Sequence, residues 1–415
     1  MPPAGAILKK TLKVLRDIAA FLIPFLSVSA VLLLLFDIGF QQNAAQNQLI
    51  KEYYSLFVHI IFILLLLRID FDKLISHRID YLQTKITLFF IFAAVWMYQF
   101  ILPYFIRNGW LISASGHYII DIFLIIFLFI SEVSIGSLSI SRFNRNPASV
   151  FLFSFALVIL TGALMLMMPR STYTGISFTD ALFTSTSAVC VTGLIVVDTA
   201  NYFTPLGQNI IALLIQIGGL GILTFTSFFG MYLRTSTSFQ DQILLGSMTN
   251  EDRISNIFRT VGRIIVLTVS IELAAAIAIY FTLEEDLFSS PYERTRFAIF
   301  HSISAFCNAG FSLLKDGMYD VHYRTNYSLQ IILMILIVTG GLGFSIIFNY
   351  LKFIKYNIIQ RFKVIFYRKK FTHLPRLINI NSKIVIVTTV SLILFGFAMN
   401  LLLEWHNTLA DRSRT

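Results

Sequence analysis

The sequence predicts an all-α membrane protein with about nine transmembrane helices and two re-entrant loops. Three observations carry that expectation: the composition, the spacing of the apolar runs, and a segment that occurs twice. Of 415 residues, 56% are hydrophobic, only 13% are charged and 41 are Phe. A soluble chain carries roughly 25% charge, so this composition excludes one. Strand-sized alternation is absent, which excludes an outer-membrane barrel. Two cysteines imply no disulfide framework.

The apolar runs centre on 19–36, 53–67, 86–106, 117–140, 148–168, 208–233, 264–282, 328–351 and 384–403. The second is short for a span, and the fourth carries Asp121 and Glu132. The first follows Lys9, Lys10, Lys13 and Arg16, is too long for an ordinary signal peptide and lacks a small-residue cleavage site, so it reads as an anchor. With the N-terminus cytoplasmic, the inside pieces 1–16, 68–85, 142–146, 234–263 and 352–383 hold 4, 4, 2, 4 and 9 Lys+Arg. That is 23 of the 32 in the chain. The net charge of +10 is thereby explained without a nucleic-acid partner, and the expected location is the cell inner (plasma) membrane.

Residues 181–194 read ALFTSTSAVCVTGL and residues 298–311 read AIFHSISAFCNAGF, at an offset of 117. Seven of the fourteen positions are identical, including Cys190 with Cys307 and Gly193 with Gly310. One span precedes each copy, and a second span containing Gly-Gly-Leu-Gly follows it (Gly218 to Gly221, Gly340 to Gly343). The unit of span, short segment, span thus occurs twice. The expected organisation is 1–146, an N-terminal membrane region of about four spans; 147–233, the first unit; 234–263, a cytoplasmic loop; and 264–351, the second unit. A basic cytoplasmic loop at 352–383 and the first span of an incomplete third unit at 384–415 follow.

From about Thr179 to Ala188 there is ~15 Å of helix, half of a ~30 Å hydrocarbon layer. Such a segment cannot span. Thr179-Asp180 supply an N-cap, and the helix runs into Cys190-Val191-Thr192-Gly193, where Val and Thr favour extended backbone and Gly tolerates positive φ. A half-helix that returns as extended chain is a re-entrant loop, and non-helical backbone at that depth must be buried in protein or line a watery cavity. Successive peptide oxygens there can replace the hydration shell of a monovalent cation, with the negative end of the half-helix aimed the same way. Neither loop contains a charged residue apart from neutral-leaning His301, so a divalent cation or an anion is not the expected ligand.

These residues resemble the Trk/Ktr/HKT superfamily of potassium transporters. TSAVCVTGL (186–194), SAFCNAGF (304–311), the GGLG runs and the order span, pore loop, span are similar to its first two repeats, over roughly 147–403. The resemblance implies a four-fold pseudo-symmetric pore in one subunit, with a narrow selectivity filter carrying one glycine per repeat. The matching glycines are Gly193 and Gly310, and a glycine in the first loop favours potassium. It also implies homodimers and a cytosolic ring of nucleotide-binding regulatory subunits. The family has four repeats, whereas this chain supplies two pore loops and then Ser382 to Leu403, so the reading is of a truncated piece of a longer protein. Two such halves completing a ring is a design that the unpaired ninth span argues against.

The expected ion-binding backbone is Val189, Cys190, Val191, Thr192 and Gly193 in one loop and Phe306, Cys307, Asn308, Ala309 and Gly310 in the other, with K⁺ as the ion and no cofactor. The GGLG glycines allow close helix packing, with a secondary role in supporting the loops. Cys190 and Cys307 are expected as small buried thiols, not a disulfide. Glu272 lies mid-span, where an ionised group costs at least ~2.5 kcal/mol, so it should hydrogen-bond to a neighbouring repeat or face the pore. Asp180 caps the first pore helix and would attract cations at the outer mouth. Asp121 and Glu132 read as near-interface residues. Arg368-Lys369-Lys370 is a cytoplasmic anchor or a contact for a regulatory partner or anionic lipid. The histidines show no ligand spacing and no phosphate loop occurs, so no enzymatic machinery is visible. The expected function is potassium uptake; the alternative is a carrier for a small organic solute using paired re-entrant hairpins.

Overall fold

The computed structural model describes residues 4–68, 122, 124–129, 147–221, 257–367 and 379–405. Helices joined by turns and loops make up those residues, with one isolated bridge, Thr172 to Phe203, as the sole β pairing among them. The helices are α1 (Ala4–Gly39), α2 (Ala44–Arg68), α3 (Pro147–Leu166), α4 (Phe178–Val189), α5 (Pro205–Leu220), α6 (Ile257–Thr282), α7 (Pro291–Phe306), α8 (Tyr327–Leu342), α9 (Phe344–Tyr367) and α10 (Ile380–Glu404). Among the described residues four stretches are long and apolar enough to cross a membrane: Asp17–Gly39, Ala45–Leu65, Gly262–Thr282 and Ser382–Glu404. This is a multi-pass, all-α membrane architecture.

Several expected spans take a different form. The short second run is a full helix of 25 residues, because Ala44 to Glu52 continue the helix in polar residues. Within the run 208–233, helix α5 ends at Leu220, where Gly221 takes φ 72° and donates its N–H to Gly218 O; residues 222–233 lie outside the described residues. The run 328–351 is not one straight span. It is α8 and α9, bent by 107° where Gly343 takes φ 82°. The first half of the expected loop 352–383 therefore belongs to α9, whereas Arg368-Lys369-Lys370 lies outside the described residues. So do the run 86–106, Asp121 and Glu132, while 124–129 is helical.

Among the described residues three apolar cores pack helices α1 to α8. The N-terminal hairpin buries Ile23, Ala30 and Leu34 of α1 against Tyr54, Val58 and Ile61 of α2, with Leu124, Ile125 and Leu128 packed in. The tip of α1 is tied to the chain leaving α3: Arg170 N donates to Gly39 O at 3.0 Å, and its guanidinium reaches Asp37 O at 3.3 Å. The second core joins Ala163 and Leu166 of α3, Ala188 of α4 and Ile211 and Ile215 of α5. It also takes in Phe300, Ala309 and Phe311 from the second half of the chain, so the two span-loop-span units share one interior. The third core packs Ile279 of α6, Phe297 and Ala298 of α7 and Leu329, Leu333 and Leu336 of α8.

Candidate functional site: two matching helix-loop turns

The short helices α4 and α7 begin alike. Ser177, in extended backbone, caps α4 by accepting from Asp180 N at 3.1 Å, and its hydroxyl donates to the Asp180 carboxylate at 2.8 Å. The expected cap at Thr179-Asp180 is thus corrected to Ser177, with Asp180 one turn inside, where its charge favours the positive helix end. Ser290 caps α7 in the same way, accepting from Glu293 N at 3.3 Å, with Pro291 at the first helical position. Arg294 then ties α7 to the end of α6, donating to Tyr280 O at 3.0 Å, Leu283 O at 2.7 Å and Glu285 Oε1 at 2.7 Å.

They also end alike, and here the extended backbone expected at Val191 is not what forms. Thr192 N donates to Ser187 O at 2.8 Å and Val191 N to Ala188 O at 3.2 Å, a Schellman closure that requires Val191 in the left-handed region at φ 56°. In the second copy Ala309 N donates to Ser304 O at 2.8 Å and Asn308 N to Ala305 O at 3.1 Å, with Asn308 at φ 59°. Gly193 and Gly310 follow at φ 81° and 74°. The pairs 191/308 and 193/310 keep the 117-residue offset, so the repeat in sequence is a repeat in backbone dihedrals.

The two turns meet at these glycines. A Cβ on Gly193 would lie 2.7 Å from Ala309 O and 3.3 Å from Gly310 Cα; one on Gly310 would lie 3.3 Å from Gly193 Cα. Behind each turn stands a GGLG glycine: Gly218 against Val189 O, Gly219 against the Cys307 thiol, and Gly340 against Phe306 O, none with room for a methyl group. Close packing and support of the loop are thus one role. Cys190 and Cys307 are both free thiols, but Cys190 is exposed, contrary to the expected burial, because the chain turns outward as the helix closes.

Glu272, on α6, is 7% exposed. Its carbonyl accepts from Ser302 Oγ of α7 at 2.6 Å, and its carboxylate lies 3.9 Å from Cys307 Sγ. Gln216 of α5 faces the carboxylate outside hydrogen-bonding geometry, its amide atoms buried and unpartnered. The matching serine of the first copy, Ser185, donates to Ile159 O of α3 at 2.7 Å. On the capped side of α7, Arg296 binds the Gln208 side chain, and Gln208 in turn donates to the carbonyls of Thr199 (3.1 Å), Ala200 (3.0 Å) and Phe203 (3.1 Å). Gln208 and Arg296 cross-link the two units and escaped sequence reasoning, since single polar residues with partners 88 positions away leave no local pattern. Among the described residues no group of three His, Cys, Asp or Glu could hold a metal ion.

The family model described as "TrkH: Cation transport protein" matches residues 122–412. The chain is 38% identical over 213 residues to "Ktr system potassium uptake protein B" of Bacillus subtilis (strain 168), covering 50% of this chain and 46% of that protein. It is 32% identical over 268 residues to "Potassium/sodium uptake protein NtpJ" of Enterococcus hirae, covering 63% and 54%. It is 35% identical over 259 residues to "Ktr system potassium uptake protein B" of Vibrio alginolyticus, covering 62% and 52%. The chain spans about half the length of these curated relatives.

Proposed function

The chain belongs to the TrkH family of cation transport proteins, and on that footing we propose that it carries part of a potassium-selective uptake path. The family is one of ion transport, and the relatives in Bacillus subtilis and Vibrio alginolyticus are named for potassium uptake. In this reading α4 and α7 are the pore helices of two re-entrant loops, entered from outside, within the nine-span, inner-membrane topology with a cytoplasmic N-terminus. The units 147–233 and 264–351 are its first two repeats.

The carbonyls of Cys190 to Gly193 and Cys307 to Gly310 bind dehydrated K⁺; those of Val189 and Phe306, expected to share in this, pack instead against Gly218 and Gly340. Nothing but backbone geometry is needed, since carbonyl dipoles replace water around a monovalent cation. Asp180 raises the local cation concentration, and Glu272 braces the second loop from behind. A homodimer and a cytosolic nucleotide-binding regulatory subunit are the expected partners. The observation that carries this reading is the contact of Gly193 with Ala309 and Gly310, which brings two loops of identical backbone to one point.

The test is a flux assay. Purified protein in liposomes passes K⁺ in preference to Na⁺, and Gly193→Ser lowers that preference. Equal K⁺ and Na⁺ flux in the unmodified protein overturns the selectivity.

A further inference from the structure

The second loop carries a side chain that the carbonyl filter does not use. His301, on α7, is 3% exposed. Its Nδ1 lies 2.9 Å from Phe297 O, and its Nε2 lies 3.1 Å from Ser312 Oγ and 3.3 Å from Leu313 N. A backbone N–H can only donate, so Nε2 is the acceptor and the ring proton sits on Nδ1, where Phe297 O accepts it. The Ser312 hydroxyl accepts from Leu314 N at 3.1 Å, which leaves its own proton for Nε2. The ring is fixed by Phe297 at 4.0 Å and by the edge of Phe300 at 5.8 Å, and Tyr323 stacks on Phe297 in turn. One turn on, Ser304 Oγ donates to Phe311 O at 2.6 Å. Three successive residues after Gly310 are thereby tied to the helix that precedes it.

Among the described residues the first loop has no such brace. The residue matching His301 is Thr184 and the one matching Ser304 is Ser187; both hydroxyls are buried without a partner. The chain after Gly193 (Leu194, Ile195, Val196) is exposed.

We propose that His301 is a positioning residue for the second loop: through Nε2 it holds Ser312 and Leu313, and so sets that loop's share of the preference for K⁺ over Na⁺. The proposal rests on the carbonyl-filter reading above. Its physical basis is that the ion preference of a carbonyl cage depends on the size of the cage and on the number of carbonyls aimed into it, and the backbone sets both. His301 touches no ion; it acts through the chain that leaves Gly310.

Two variants and two readouts test it. His301→Leu keeps the volume and removes the acceptor, while His301→Gln places an amide oxygen near the Nε2 position. In liposomes the K⁺-over-Na⁺ flux ratio falls by about tenfold in His301→Leu, the scale of one lost buried acceptor, and stays within about twofold of wild type in His301→Gln. Hydrogen exchange of the peptide covering residues 311–314 accelerates by about tenfold in the Leu variant alone. A Gln variant that behaves like the Leu variant overturns the acceptor role. Faster exchange with an unchanged flux ratio overturns the link to selectivity, and unchanged exchange overturns the brace. Wild-type protein that passes K⁺ and Na⁺ equally overturns the filter reading and the ionic half of the proposal, while the exchange readout still decides the brace.

Discussion

The two loops have the same backbone and different chemistry beneath it. Both close their short helix through a left-handed residue and continue to a positive-φ glycine. The first puts Val191 in the left-handed position, where a β-branched side chain is disfavoured; the second puts Asn308 there, which tolerates it. In the orientation that satisfies both partners, the Asn308 amide donates to Ile337 O at 3.1 Å and accepts from Gly341 N at 3.2 Å, so the second loop is also pinned to α8. His301 and Ser304 add to that side; the Thr184 and Ser187 hydroxyls have no partners among the described residues on the other. What the two copies share is a pair of positive-φ positions, 191/308 and 193/310. Side-chain support was free to diverge, leaving one loop strained and the other braced.

The largest expected effect separates the two glycines. Gly193→Ala drives a Cβ toward Ala309 O at 2.7 Å, whereas Gly310→Ala meets a Cα at 3.3 Å. The K⁺-over-Na⁺ flux ratio should fall by about thirtyfold in the first, from roughly 2 kcal/mol of strain, and by about tenfold in the second. Equal losses would mean that the approach is not one-sided. Next, Asn308→Val should lower stability by roughly 2 kcal/mol, since it loses two hydrogen bonds and takes on the strain that Val191 already bears. The thermal unfolding midpoint in detergent reads this. Ser304→Ala should cost about 1 kcal/mol because Phe311 O is left unpaired, while Ser187→Ala stays within about 0.5 kcal/mol of the parent. A larger loss from Ser187→Ala would show that the first loop has a brace after all. The smallest effect is a gain: Val191→Gly should raise stability by up to about 1 kcal/mol by releasing the left-handed strain, offset in part by the entropy of glycine.

Much of the site was legible in the primary structure. A duplicated segment too short to span, with Gly193 and Gly310 in register, located both turns because length and repetition need no tertiary information. Three details were not. The helix cap fell on Ser177 because capping depends on which hydroxyl reaches a free N–H, not on which residue types lie nearest the apolar run. Val191 was expected to be extended from its propensity; the carbonyls of Ser187 and Ala188 needed donors, and satisfying them outweighed that preference. The run 328–351 looked like one span because hydropathy is blind to direction, and the bend at Gly343 leaves no trace in it.

The sequence by itself determined the solvent, the repeated unit and the positions of the two matching glycines, because composition, periodicity and identity at a fixed offset are properties of the chain alone. Only the tertiary structure decided that Gly193 touches Ala309 and Gly310, that Gly218 and Gly340 back onto the last carbonyls of α4 and α7, and that His301 clasps the chain leaving Gly310. Each of those contacts joins residues whose nearness depends on how helices pack, and packing is settled by shape and hydrogen-bond satisfaction across the whole interior.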